Sequence, residues 1–156
     1  MNTTSTFPTV LRELLRTNQS FLSYATSHVN KLDVTLPQFD VIITLGGTAG
    51  MPYKKLGEKT LITKGTLTGV VSRLEDKGLI ERAASKKDGR SQILRLTEEG
   101  NDLFERTFPE HLEFINRLFS DYSPEDIATL ETALIRLQKA VSVCRGDEIV
   151  DEVIDE

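Results

Sequence analysis

A mostly helical chain carrying one small β-hairpin is predicted from three features of the sequence. Apolar residues recur at three-four spacing through most of the 156 residues, the signature of helices with one buried face. Two short stretches, 79–84 and 91–96, read instead as strands joined by a polar loop with an Asp-Gly turn signal. Helix start and stop signals fall between the periodic segments: Thr-Leu-Pro at 35–37, Ser-Pro-Glu at 123–125, and glycines at 46, 47 and 78.

The elements follow in order. A first helix over 8–29 is carried by Leu11, Leu14, Leu15, Leu22, Ala25 and Val29, with Phe21 beside them. Thr35-Leu36-Pro37 starts a second, since proline is tolerated in a first turn where its missing N–H has no partner. Phe39, Ile42, Ile43 and Leu45 form its apolar side, and Gly46-Gly47 ends it. Pro52 opens a short third helix through Lys59. In the fourth, Leu67, Val70, Val71 and Leu74 stand at i, i+3, i+4 and i+7, one buried stripe. Thr63 is its expected N-cap, the hydroxyl accepting from a first-turn N–H, and Gly78 stops it. Opposite the stripe lie Gly65, Gly69, Ser72 and Asp76, flanked by Thr66, Thr68 and Arg73, a small and polar face. After the hairpin, Thr97 caps a fifth helix, with a bend expected at Pro109. Ser123-Pro124-Glu125-Asp126 caps a sixth, whose Ile127, Leu130, Leu134, Leu137 and Val141 repeat in heptad fashion and suit helix-helix packing.

Composition narrows the function classes. With 38% apolar and 28% charged residues the chain reads as a soluble globular protein. Its single cysteine, Cys144, excludes an internal disulfide framework. No apolar run approaches a membrane span, and residues 1–8 lack the basic and apolar segments of a signal peptide, so the expected address is the cytoplasm, without membrane contact. The net charge of −5 hides an asymmetry: residues 51–95 carry eleven Lys/Arg and five Asp/Glu, net +6, while the rest is net −11. A basic island in an acidic protein is the footprint of a phosphate-binding segment.

Short helix, turn, second helix with a polar outward face, then a basic-tipped hairpin: this order describes a winged helix-turn-helix. The major groove of DNA admits one helix and displays a readable donor and acceptor pattern. Thr63, Lys64, Thr66 and Thr68 stand at or near the N-terminus of the fourth helix, where its dipole favours phosphate, with Ser72 and Arg73 further along. Lys54 and Lys55 on the third helix, and Lys86, Lys87, Asp88 and Arg90 in the hairpin loop, complete the expected DNA-binding set. Arginine at such a tip suits the negative potential of a narrow minor groove.

The stretch Leu56-Gly57-Glu58-Lys59, followed by residues 62–82 (ITKGTLTGVVSRLEDKGLIER), resembles the helix-turn-helix of the MarR family. Asp88-Gly89-Arg90 resembles that family's wing signature, and Leu96-Thr97-Glu98-Glu99-Gly100 the start of the helix leaving the wing. The resemblance implies a homodimer joined by its N- and C-terminal helices, acting as a repressor on a pseudo-palindromic DNA operator and released by a small aromatic effector. On that basis residues 1–34 and 98–146 form the dimerisation region, 35–97 the DNA-binding region and 147–156 an acidic tail. Leu11, Leu14, Leu15, Leu130, Leu134 and Leu137 are the candidate dimer contacts. Phe21, Phe39, Ile43 and Phe104 lie on elements that the family places around its ligand cleft, ordinary core packing being the other reading. Arg90 would face DNA and Asp88 orient it.

Other chemistry is not expected. Cys144 stands late and alone, far from where the family's peroxide sensors carry a reactive cysteine. His28 and His111 have no second ligand at metal spacing, so no metal or cofactor is expected. Glu98-Glu99 and Glu110/Glu113 read as solvated helix faces rather than acid/base pairs. No nucleophile motif or phosphate loop appears, and an enzyme is rejected. The alternative is a winged-helix protein-interaction module, because a fold alone does not fix function; the basic island favours DNA. In 147–156, six acids interleave with Ile149, Val150, Val153 and Ile154; fraying, docking on the dimer and competition with DNA for the basic wing are three fates open to it.

Overall fold

Among the described residues six α-helices and one antiparallel hairpin follow in the order α1 (Phe7–Val29), α2 (Leu36–Leu45), α3 (Tyr53–Lys59), α4 (Lys64–Asp76), β1 (Ile80–Ala84), β2 (Gln92–Leu96), α5 (Glu98–Asn116) and α6 (Pro124–Arg145). This computed structural model describes residues 6–60, 62–85, 89 and 91–146; Leu61, Lys86, Lys87, Asp88, Arg90 and the acidic tail 147–156 lie outside them. Two 3-10 turns that the apolar periodicity did not signal, Asn30–Leu32 and Arg117–Phe119, follow α1 and α5.

Two compact units result, Met1–Ile115 and Asn116–Glu156. The body of α5 lies in the first unit with the hairpin. The reason is local: Thr97 donates its N–H to the Leu79 carbonyl at 3.1 Å and its hydroxyl to that of Gly78 at 2.6 Å. The same hydroxyl caps α5 by accepting from the Gly100 N–H at 3.1 Å, as expected of Thr97. Gly100 then lies against the Leu79 carbonyl so closely that any Cβ would collide with it. Helix α5 continues through Pro109 as one element.

The core of the first unit gathers Val29, Phe39, Val41, Ile42, Leu45, Leu56, the α4 stripe and Leu94 of β2, all nearly or wholly buried. Helix α2 begins on a reciprocal capping box in which Thr35 and Gln38 satisfy each other's backbone N–H. Helix α4 ends in a Schellman turn: the Leu79 N–H reaches the Leu74 carbonyl at 3.0 Å and the Gly78 N–H that of Glu75 at 2.9 Å. That turn needs the positive φ of Gly78, +69°. The hairpin pairs Ile80 with Leu96 through Ala84 with Gln92. A third backbone partner, unseen in the sequence, is Met51, which exchanges two 2.9 Å hydrogen bonds with Leu94. Gly50 makes that approach possible: its φ is +97°, and a Cβ there would stand 2.6 Å from the Leu94 carbonyl oxygen.

The second unit is built on α6, which opens on a Ser123/Asp126 capping box and closes on Gly146 at φ 74°. Hydrogen bonds from the Ser123 hydroxyl and then from its backbone N–H lower the Asp126 pKa. Helix α6 buries none of its own side chains, and Cys144 is exposed on it.

Where the sequence shows two separate histidines, the fold brings them face to face. The Nδ1 atoms of His28 on α1 and His111 on α5 are 3.2 Å apart, a hydrogen bond in which one ring donates and the other accepts. Phe114 stacks on His28, Phe39 meets His111 edge-on, and the Tyr24 hydroxyl donates to the Phe114 carbonyl at 2.8 Å. Burial first, and then the facing His28, hold the His111 pKa below its ordinary 6.5. The folded chain therefore resists a proton that the unfolded chain accepts, so this contribution to stability is full above pH 6.5 and is lost as pH falls below it. Thermal unfolding should give a Tm that is level between about pH 8 and 7 and declines toward about pH 5. The decline should be shallower in His28→Gln, and a wild-type Tm indifferent to pH across that window would contradict the account.

Candidate nucleic-acid interface

Helices α3 and α4 both turn apolar side chains into the core. Leu56 is wholly buried from α3; Leu67, Val70, Val71 and Leu74 are buried from α4. With that stripe inward, Thr63, Lys64, Gly65, Thr66, Thr68, Gly69, Ser72 and Arg73 are all exposed on the other side. Lys54 and Lys55 are exposed on α3. A Cβ built on Gly65 or Gly69 would find nothing within 4 Å, so the α4 backbone itself is open to an approaching surface.

One expectation at this helix start needs correction. Thr63 occupies the N-cap, but no side chain caps α4. Its hydroxyl donates instead to the Thr66 hydroxyl at 3.1 Å. The hydroxyl that would have satisfied a first-turn N–H is turned along the outward face, which leaves the positive end of the helix dipole available to an anion.

Electrostatics divide the basic island into two groups. Arg82 on β1 pairs with Glu75 of α4 at 2.8 Å, Arg95 on β2 with Glu81 at 2.6 Å, and Lys77 with the carbonyl and carboxylate of Asp33. These three cations brace the fold. Among the described residues Lys55, Lys59, Lys64 and Arg73 take part in no ion pair, and Lys54 only approaches Glu58, at 4.0 Å and largely exposed. The uncompensated charge thus sits on α3 and α4. The wing residues expected to join it, Lys86, Lys87, Asp88 and Arg90, lie outside the described residues, while Gly89 in their midst has a φ of 61°.

The other predicted groups are dispersed. Phe39 is core, 1% exposed; Ile43 and Phe104 are half-buried against that core, and Phe104 packs over Gly46; Phe21 is exposed on α1. Two surface clefts lie elsewhere. One of about 910 Å³ runs between the 48–52 loop, the sheet and the start of α5, lined by Lys55, Arg95, Glu98 and Asp102 among others. One of about 260 Å³ lies beside Asp33, Lys77 and Arg106. Neither is lined by those four residues. Of the candidate dimer contacts, Leu11 and Leu15 are exposed and Leu14 half-buried on α1; Leu130 and Leu134 are exposed and Leu137 half-buried on α6. Tyr53, not among the residues expected to contact DNA, places its hydroxyl 2.8 Å from that of Thr68. Its only sequence signal was an aromatic residue directly after the helix-opening Pro52.

Comparison with known proteins agrees with this geometry. The profile of the MarR family matches residues 34–92, which hold α2 to α4 and most of the wing. The chain is 31% identical to the HTH-type transcriptional regulator MhqR of Bacillus subtilis (strain 168), covering 80% of this chain and 86% of that protein. The chain belongs to the MarR family. A second relative, the organic hydroperoxide resistance transcriptional regulator of the same organism, is 34% identical, with 75% of this chain and 84% of that one covered. Among solved structures, NadR in complex with 4-hydroxyphenylacetate superposes with a TM-score of 0.68 at 26% identity, over 88% of this chain and 97% of NadR. The fold is therefore a MarR winged helix, and α3 and α4 are its helix-turn-helix.

The openness of the α4 face has a consequence in this MarR chain. Gly69→Ala should stabilise the free protein by about 0.5–1 kcal/mol, because alanine is the better helix former and its methyl meets nothing. The same methyl should weaken binding to duplex DNA by keeping the backbone away. Thermal unfolding and a duplex titration of the variant check both halves; a lower Tm would contradict the open placement.

Proposed function

We propose that this MarR-family chain is a homodimeric repressor that binds a pseudo-palindromic operator through α4 and its wing and is released by a small aromatic ligand. One observation carries the DNA half: Lys55, Lys64 and Arg73, which take part in no ion pair among the described residues, and Lys54, which only approaches Glu58 at 4.0 Å, flank a face of threonines and glycines. In this reading Thr63, Lys64, Thr66, Thr68 and Ser72 enter the major groove, and the lysines of α3 hold the phosphates beside it. Arg90, oriented by Asp88, enters the adjoining minor groove, with Lys86 and Lys87 on its backbone.

The dimer has separate support on each unit. Helix α1 leaves Val10, Leu11, Leu15 and Leu22 exposed, and α6 leaves Ile127, Leu130, Leu134 and Ile135 exposed. A second copy would cover these apolar side chains, which are costly to leave in water. Ligand release rests on NadR, solved with 4-hydroxyphenylacetate, and on Phe21, Ile43 and Phe104, apolar side chains that are not fully buried.

Selection from a random duplex pool, followed by titration at several salt concentrations, tests the DNA reading. The enriched site should be an inverted repeat with half-sites about 10 bp apart, bound by two chains. Affinity should fall steeply with salt as condensed counterions are released. Arg90→Ala should cost about 1–3 kcal/mol on that site. A pool without enrichment, or binding indifferent to salt, favours a protein-interaction module instead.

The effector half is tested by adding 4-hydroxyphenylacetate and other aromatic acids to the protein–operator complex. At least one should displace the operator at concentrations that leave the duplex and the fold intact. A panel without effect removes aromatic release from the proposal.

A further inference from the structure

Tyr53 stands at the first position of α3, within the DNA-binding region but not among the residues expected to contact DNA. Its ring is half-buried and packs against the core, so the side chain is held from behind. Its hydroxyl emerges on the outward face of α4, 2.8 Å from the Thr68 hydroxyl. On that face Gly65 and Gly69 leave open space, and one turn away Thr63 donates to Thr66 at 3.1 Å. The recognition surface therefore carries two hydroxyl pairs, and in each the outer threonine is oriented by a partner.

The consequence follows from hydroxyl chemistry. A threonine hydroxyl has one proton and two acceptor lone pairs. A threonine on a helix otherwise divides between two χ1 rotamers, one of which turns its hydroxyl back onto the helix backbone. A phenol is the stronger donor of the two groups, so Tyr53 donates and Thr68 accepts. That bond holds the Thr68 Oγ1 toward Tyr53, frees its proton to point outward, and sets its methyl on the adjoining side. An outward donor beside a methyl complements the major-groove edge of thymine, which presents the O4 acceptor next to the C5 methyl. Orienting the group before binding removes an ordering cost that would otherwise be met on the DNA.

We propose that Tyr53 is a positioning residue of the DNA-reading surface: it orients Thr68 so that this threonine reads one thymine in each half-site. The inference rests on the proposed binding of DNA through α4. Tyr53 itself need not touch a base, and its hydroxyl acts through Thr68.

The test uses the full-length protein and the duplex that the wild type enriches from a random pool. Tyr53→Phe keeps the packed ring and removes only the hydroxyl, and Thr68→Val removes the hydroxyl while keeping the branched shape. Each should relax preference at the same single thymine per half-site, lowering affinity for the selected duplex roughly two- to tenfold, the value of one neutral hydrogen bond. The double variant should lose no more than either alone, because both changes break one unit. Replacing that thymine by deoxyuridine deletes the C5 methyl, and should weaken wild-type binding but not that of Thr68→Ser. A uniform weakening on all duplexes would place the pair on phosphate and overturn the proposal. So would additive losses, or relaxation at a base other than thymine. A wild-type pool with no enriched sequence overturns the DNA reading itself, whereas an enriched site read unchanged by Tyr53→Phe overturns this inference alone.

Discussion

Burial of Leu67, Val70, Val71 and Leu74 along one side of α4 is the constraint on which the interface depends. A helix can turn only one face inward, and these four aliphatic side chains leave it no choice of rotation about its axis. The face opposite is therefore presented to solvent in a fixed order of threonines, glycines, serine and arginine. The helix is held along its length as well. Its end is closed by the Gly78 turn, its Glu75 is tied to Arg82 on β1, and its Thr68 is tied to Tyr53 on α3. A surface that must match another molecule gains when its own degrees of freedom are already spent.

The wing is attached to this helix with little slack. Leu79 closes the α4 turn with its N–H and receives the Thr97 N–H at its carbonyl, so one residue joins the end of α4, the start of β1 and the cap of α5. Gly100 lets α5 lie directly against that carbonyl, and Gly50 lets Met51 pair with Leu94 on the far edge of β2. The strands are thus joined to the end of α4 by backbone hydrogen bonds. Buried Ile80, Leu94 and Leu96 add side-chain packing to these backbone hydrogen bonds.

The same geometry divides the basic residues into paired and unpaired cations among the described residues. Arg82, Arg95 and Lys77 find acids within the fold, while among the described residues Lys55, Lys59, Lys64 and Arg73 take part in no ion pair. Exposed ion pairs contribute little stability individually, but they determine which cations remain available to an outside partner. The histidine pair between α1 and α5 is the reverse case. It sets two imidazole rings among aromatic neighbours, where burial holds the His111 pKa below its ordinary value.

The helices, the hairpin and the outward face of α4 were legible in the sequence because their signals are local. Periodicity, Thr97, the Ser123 box and Gly78 act within one or two turns, and each stands where those signals placed it. Membership of the MarR family was legible for the same reason, since its motif is contiguous. Contacts between distant segments were not. Met51 with Leu94, His28 with His111 and Tyr53 with Thr68 join residues whose separation along the chain carries no pattern. The role of the Thr63 hydroxyl also escaped, because a threonine at an N-cap can bond to the backbone or to a neighbour, and only the position of Thr66 decides between them. The sequence by itself determined the six α-helices, which face of each is apolar, and where positive charge concentrates. Only the tertiary structure decided which cations are already paired, which hydroxyls are oriented and which rings face one another, because those outcomes depend on distances that packing alone sets.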